Sequence, residues 1–175
     1  MKKLLAVTVL LAMIGSVPAA TEDPTRKAVE LIGEARHADA ARLLEPLAKA
    51  GNADAQYHLG LLHYAGKGVA ENERRAVELL KSSAAQGNVN AMYQLGNAFT
   101  FGNETPRLVA DADVEAAQWY YKAAKLGHAD AQYSLGLLFM AGKGVEKDQK
   151  EATYWMQEAA KHGHKDAKSY VAGRK

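Results

Sequence analysis

Apolar and small residues recur at helical spacing along the chain, and glycines interrupt the pattern at regular intervals. In the first clear stretch, Ala55, Leu59 and Leu62 share one face of a helix. Two glycines within residues 65–68 then end that helix, because glycine raises the entropic cost of helix formation. A second apolar stripe follows Asn72, whose short polar side chain suits the position just before a helix. The pattern predicts two antiparallel helices joined by a glycine-rich turn.

The same pattern occurs three times. Gly60, Gly96 and Gly136 mark equivalent positions, which are 36 and 40 residues apart. A period in this range indicates a solenoid, because each unit must stack on its neighbours to bury its apolar face. We therefore predict an all-α fold, an α/α superhelical solenoid of stacked antiparallel helix pairs. The extra residues of the middle unit fall in the loop 102–109, which is either a partner contact or tolerated sequence drift.

The chain begins with the layout of an export signal. Lys2 and Lys3 are basic, residues 4–14 are almost entirely apolar, and small residues follow. This layout predicts that the protein is exported, most simply to the periplasm and otherwise into the medium. It also predicts that no membrane span remains after cleavage. The chain has no cysteine, which excludes a thioether lipid anchor and disulfide bonds. The predicted division is a signal peptide over 1–19, a degenerate repeat over 20–53, full repeats over 54–89, 90–129 and 130–165, and a partial cap over 166–175.

The charge pattern gives no sign of a nucleic-acid partner. Apart from Lys2 and Lys3, the chain has 20 basic residues and 20 acidic ones. Nucleic-acid-binding proteins usually carry a basic stripe or face, which is missing here. On the predicted second helix of the first unit, the charged residues have the spacing of a solvated face; they are Glu73, Arg74, Arg75, Glu78 and Lys81.

The third unit shows the repeat pattern most fully, at Ala131, Tyr133, Leu135, Gly136, Phe139, Gly142, Gly144, Val145, Asp148, Ala152, Trp155, Ala159, Ala160 and Gly163. With these residues the repeats resemble the Sel-one-like repeat, a branch of the tetratricopeptide superfamily. The resemblance implies an α/α superhelix and, for most members, protein–protein interaction without catalysis, often in the periplasm or outside the cell. It also carries an alternative, a hydrolase-like protein that binds β-lactams or cell-wall ligands, although that branch is cysteine-rich.

The resemblance also implies a binding surface, because the first helices of related solenoids line the concave side. His58, Gln94 and Ser134 differ between units, as suits a specific partner, and neighbouring tyrosines offer rigid contact area. We predict that an unidentified protein or peptide binds there; the alternative is that the tyrosines only pack between units. The predicted residues, here called the first-helix face, are Tyr57, His58, Leu61, Tyr64, Tyr93, Gln94, Asn97, Thr100, Tyr133, Ser134, Leu137 and Met140.

Catalytic and cofactor signatures are missing from the sequence. The turn Ala-Gly-Lys-Gly-Val lacks the spacing and context of a phosphate-binding loop, and the common acyl-transfer and metalloprotease motifs do not occur. The histidines His128, His162 and His164 could in principle gather as metal ligands. However, His128 and His164 follow helix-ending glycines, as Asn52 and Asn88 do, which favours a capping role. We predict no enzyme activity, no cofactor and no metal site, and the sequence leaves the oligomeric state open.

Overall fold

The computed structural model describes residues 23–173, so the predicted signal peptide lies outside the described residues. Within this range the protein consists of nine α-helices and one short 3-10 helix, with no strand. The all-α solenoid predicted from the repeat is confirmed. The helices are α1 (Pro24–Gly33), α2 (His37–Lys49), α3 (Ala53–Ala65), α4 (Glu73–Ala85), α5 (Val89–Phe101), the 3-10 helix (Thr105–Leu108), α6 (Ala112–Lys125), α7 (Ala129–Ala141), α8 (Gln149–Lys161) and α9 (Lys165–Ala172).

Consecutive helices pair, and each pair stacks on the next. The pairs are α1 with α2, α3 with α4, α5 with α6, and α7 with α8, while α9 packs on α8 at the end of the stack. In the first pair, α2 continues through Pro46. None of the helices within residues 23–173 combines the length and apolar character needed to cross a bilayer.

Glycine lets the two helices of each unit approach closely. A Cβ added at Gly60 would lie 3.1 Å from Leu80, and one added at Gly96 would lie 2.5 Å from the ring of Tyr120. The inward stripe predicted for α4 is buried, including Leu79 and Ala84. Where the two helices of these units come closest, a glycine of the first helix therefore faces a large residue of the second.

The helix ends follow the predicted signals. The side chain of Asn72 accepts a hydrogen bond from the backbone N–H of Arg75 at 2.8 Å, and Asp148 caps α8 in the same way. Asn52, Asn88, His128 and His164 cap the starts of α3, α5, α7 and α9.

The glycine-rich turns also join one unit to the next. The turn of the third unit lies against the start of α6, so a Cβ at Gly144 would collide with the carbonyl of Asp113 and lie 2.8 Å from Val114 N. The turn of the first unit lies on the start of α2 in the same way, with a Cβ at Gly68 placed 2.7 Å from His37 O. Lys143 adds an ion pair with Asp113 at 3.2 Å. In both places the backbone of a turn packs directly on the backbone at the start of a helix in the preceding unit. This contact therefore sets how the units stack.

The middle unit makes the equivalent junction with a carboxylate. Glu73 is only 4% exposed, so its prediction as part of a solvated face is wrong. Its oxygens accept hydrogen bonds of 2.8–2.9 Å from the backbone N–H groups of Asn103, Glu104 and Thr105, and from the Thr105 hydroxyl. Burial raises the pKa of this carboxyl, but the hydrogen bonds from residues 103–105 outweigh burial and lower it overall. The inserted loop is thus held in place by the preceding unit.

Two buried glutamines add further contacts between units. Gln56 donates to the carbonyl of Ala48 at 3.1 Å, and Gln132 donates to the carbonyl of Ala124 at 3.0 Å. Each side chain reaches from a first helix to the end of the preceding second helix. Because buried polar groups need hydrogen-bond partners, these two bonds fix the position of each unit on the preceding one.

Candidate partner-binding site

The twelve residues of the first-helix face lie at corresponding positions on α3, α5 and α7. These helices follow one another in the stack, and each buries another side in the core, at Leu59, Leu95 and Leu135. Leu137 is 41% exposed and the other eleven residues are half-buried. The face is therefore a continuous row of partly accessible side chains.

A hydrogen-bonded group occupies the middle of the first-helix face. The hydroxyl of Tyr120 donates to the side-chain oxygen of Asn97 at 2.8 Å and lies 3.3 Å from the hydroxyl of Thr100. The amide of Asn97 in turn donates to Gln94 at 3.4 Å. Burial raises the pKa of Tyr120 to about 12, despite an opposing hydrogen bond from Thr100. The hydroxyl therefore stays protonated and keeps this polar group in one arrangement.

Sequence reasoning missed Tyr120, although a signal was available. Its equivalents in the other units are Leu44, Leu80 and Met156, which are apolar core residues. A tyrosine at a position that is otherwise aliphatic brings a hydroxyl into the core, and a buried hydroxyl requires a partner. That partner is Asn97, one of the predicted residues.

Two of the predicted tyrosines stack on the helix caps of the next unit. Tyr93 stacks on His128 with ring centroids 4.5 Å apart, and Tyr133 stacks on His164 with centroids 4.1 Å apart. These contacts belong to the packing between units. The remaining edge of each half-buried ring is what a partner can reach.

One end of the first-helix face forms a cavity of about 280 Å³. His58, Leu61 and Tyr64 line it, together with Ile32 and His37 from the first pair of helices. Burial lowers the pKa of His58, against the opposing charge of Asp54. This imidazole is therefore mainly neutral near pH 7, and the cavity suits an apolar side chain.

A second accessible surface lies on the second helices and was not predicted. Tyr121, Leu126 and Tyr154 are 47–59% exposed, and Trp155 lies in edge contact with both tyrosines. Cavities of about 500 and 350 Å³ flank this group. The equivalents two units earlier are Glu45, Ala50 and Glu78, so the aromatic group is not repeated there. The signal for it was the run of aromatic residues at 119–121.

The histidines act within the structure of the unit junctions. His128 and His164 are caps, and His162 lies 2.9 Å from the side-chain oxygen of Gln132. Within residues 23–173, no three side chains of His, Asp or Glu are grouped so that they could hold a metal ion.

Comparison with known proteins places these repeats in context. The Sel1 repeat family matches the chain three times, at residues 53–88, 89–128 and 129–164. A Sel1 repeat protein from Oxalobacter formigenes has a similar structure, with a TM-score of 0.72 and 32% identity over 82% of this chain and 57% of that one. A protective antigen of uropathogenic Escherichia coli gives a TM-score of 0.68 and 34% identity, over 78% of this chain and 29% of that one.

Curated relatives match over a shorter part of their own length. Chitin synthase regulatory factor 1 of Schizosaccharomyces pombe is 33% identical over 85 residues, which is 49% of this chain and 18% of the relative. The chain therefore spans about a fifth of the length of the curated relatives it matches.

Proposed function

Because the chain belongs to the Sel1 repeat family, whose members generally mediate protein–protein interaction, we propose that it is a scaffold that binds a segment of another protein. The segment lies along the first-helix face, and the role is non-catalytic. We further propose that the protein is exported, to the periplasm or into the medium, so that its partner is another exported protein. The comparisons lend no support to the β-lactam-binding hydrolase alternative.

The observation that carries this proposal is the composition of the first-helix face. It presents apolar groups such as Leu61 and Leu137 beside the fixed hydrogen-bonding group of Gln94 and Asn97. Apolar anchors supply affinity, while fixed polar groups select the partner. At one end, the cavity lined by His58 and Leu61 can take an anchoring side chain.

The face is tested by crosslinking from defined positions. A photoreactive phenylalanine analogue at Leu61 or Leu137 should capture a partner in the source cell, and the captured protein is then purified. We expect Leu61→Ala combined with Leu137→Ala to weaken its binding at least tenfold, because about 1.5–3 kcal/mol is gained on burying each large apolar side chain. Isothermal calorimetry measures this loss, with Tm as a check on folding.

The matched control lies on the other side of the molecule. Tyr154→Ala removes an exposed ring of the second helices and should leave both capture and affinity unchanged. Asn97 is left intact in these variants because its side chain holds the buried hydroxyl of Tyr120. Loss of binding in Tyr154→Ala, with binding preserved in the Leu61 and Leu137 variant, would place the partner on the second helices instead.

A further inference from the structure

The first helices of this chain begin with two kinds of cap. At α3 and α5 the side-chain oxygens of Asn52 and Asn88 accept from backbone N–H groups at 2.8 and 2.9 Å. At α7 and α9, histidines do the same through Nδ1, and His128 accepts from Ala131 N at 3.3 Å. An amide oxygen can accept at any pH, whereas an imidazole nitrogen can accept only while it carries no proton.

The cap of α7 therefore requires the tautomer of His128 whose proton is on Nε2. A second proton would occupy the lone pair of Nδ1 and leave the N–H of Ala131 without its partner. It would also place a positive charge at the positive end of the helix dipole. Both effects act in the same direction, against the folded start of α7.

The surroundings of His128 also favour the neutral ring. The imidazole is half-buried and stacks on Tyr93 of α5. The titratable groups around it are Asp130 on its own helix, the Tyr93 hydroxyl, and His162 at the end of α8, which lies beside Gly127. Burial lowers the pKa of His128, and the charge of Asp130 offsets this only in part.

We propose that His128 makes the first-helix face sensitive to acid: protonation releases the cap of α7, the helix that carries Tyr133 and Ser134, and so weakens partner binding. The statement on binding rests on the proposed function, while the effect on the cap does not. Because the pKa of His128 is lower in the folded chain than in the unfolded one, the unfolded chain binds the extra proton first. The stabilisation is therefore present above the ordinary histidine pKa of about 6.5 and is lost as pH falls below it.

The cap of α9 provides a contrast within the same chain. Nε2 of His164 lies 3.7 Å from a carboxylate oxygen of Asp130. The ring of His164 is held by this contact as well as by its cap hydrogen bond to the N–H of Ala167. The acid response is thus assigned to the α5–α7 junction.

The test compares the wild-type chain with His128→Asn and His128→Ala. Asparagine restores the cap found at Asn52 and Asn88 but cannot titrate, whereas alanine removes the cap at every pH. Between pH 7.5 and 5.0, we expect the Tm of the wild type to fall about 2–4 °C further than that of either variant. Equal falls in the wild type and in His128→Asn would overturn the proposal.

A nuclear magnetic resonance titration gives a second readout that needs no partner. The amide signal of Ala131 should move with the protonation of His128, while that of Ala91, capped by Asn88, should stay in place. A static Ala131 signal would equally overturn the proposal. If the cap titrates but affinity for the captured partner is the same at both pH values, the effect of the cap on binding is overturned, whereas the first-helix face itself is tested by the Leu61 and Leu137 variant.

Discussion

Gly144→Ala is expected to destabilise the protein by about 2–4 kcal/mol. Gly144 has a φ of +68°, a conformation that costs an alanine about 1 kcal/mol relative to glycine. In addition, the new Cβ would collide with the backbone carbonyl of Asp113, and backbone in a helix cannot move aside as a side chain can. Forcing extra volume into a packed interface costs about 1–3 kcal/mol more. Urea denaturation followed by circular dichroism measures the loss.

Gly142→Ala is the matched control for this prediction. Gly142 lies in the same turn with nearly the same φ, +71°, but the nearest atom to its added Cβ is Lys147 Cβ at 3.1 Å. This variant should lose about 1 kcal/mol, the conformational part alone. If the two variants are equally unstable, then the contact between the turn and the start of α6 does not restrict the stack.

Glu73→Gln is expected to cost about 2–4 kcal/mol, because a buried carboxylate that accepts four hydrogen bonds is replaced by a group with one acceptor. The amide nitrogen of glutamine would also face backbone N–H groups of the loop, donor against donor. Since the loop 102–109 is held by this side chain, the loss should be largest there. Amide hydrogen exchange at residues 103–105 locates it, and the unfolding midpoint in urea gives its size.

The carboxylate of Glu73 also makes the free energy of unfolding of the protein depend on pH. Its pKa is lowered in the folded chain, so its contribution is present above the unfolded pKa of about 4.3 and is lost as pH falls through the folded value. The wild type should therefore lose more stability between pH 5 and pH 3 than Glu73→Gln does. Glu78→Gln, on the exposed side of the same helix, is the control and should change neither the stability nor its slope. A wild-type slope that persists in Glu73→Gln would show that the carboxylate does not titrate as described.

The helices and their ends could be predicted from the sequence, because the residues that specify them lie close together in the chain. Spacing within one helix identifies buried positions such as Ala76, and a polar residue beside a glycine identifies a cap such as Asn88. Each of these signals lies within a few residues of the structure that it specifies. The repetition of the pattern then supplied the stacking.

The contacts between units could not be predicted from the sequence, because the two residues of each contact lie in different units. Glu73 is the first residue of a helix and is followed by two arginines, so its local pattern is that of a solvated turn. Its four donors are 30–32 residues away in a loop without periodicity. For the first-helix face, periodicity separated the partly accessible side chains of the first helices from buried ones such as Leu59. It gave no sign that Tyr93 and Tyr133 stack on histidine caps, since ring orientation has no sequence period.

The carboxylate junction makes the repeats non-interchangeable as modules. If residues 89–128 were excised, α7 would follow α4, and the turn around Gly144 would meet the position that Glu73 occupies. The carboxylate would then be shielded from water without the donors of residues 103–105. Copying residues 53–128 as one block, in contrast, lengthens the protein and keeps each such carboxylate together with the loop that it holds.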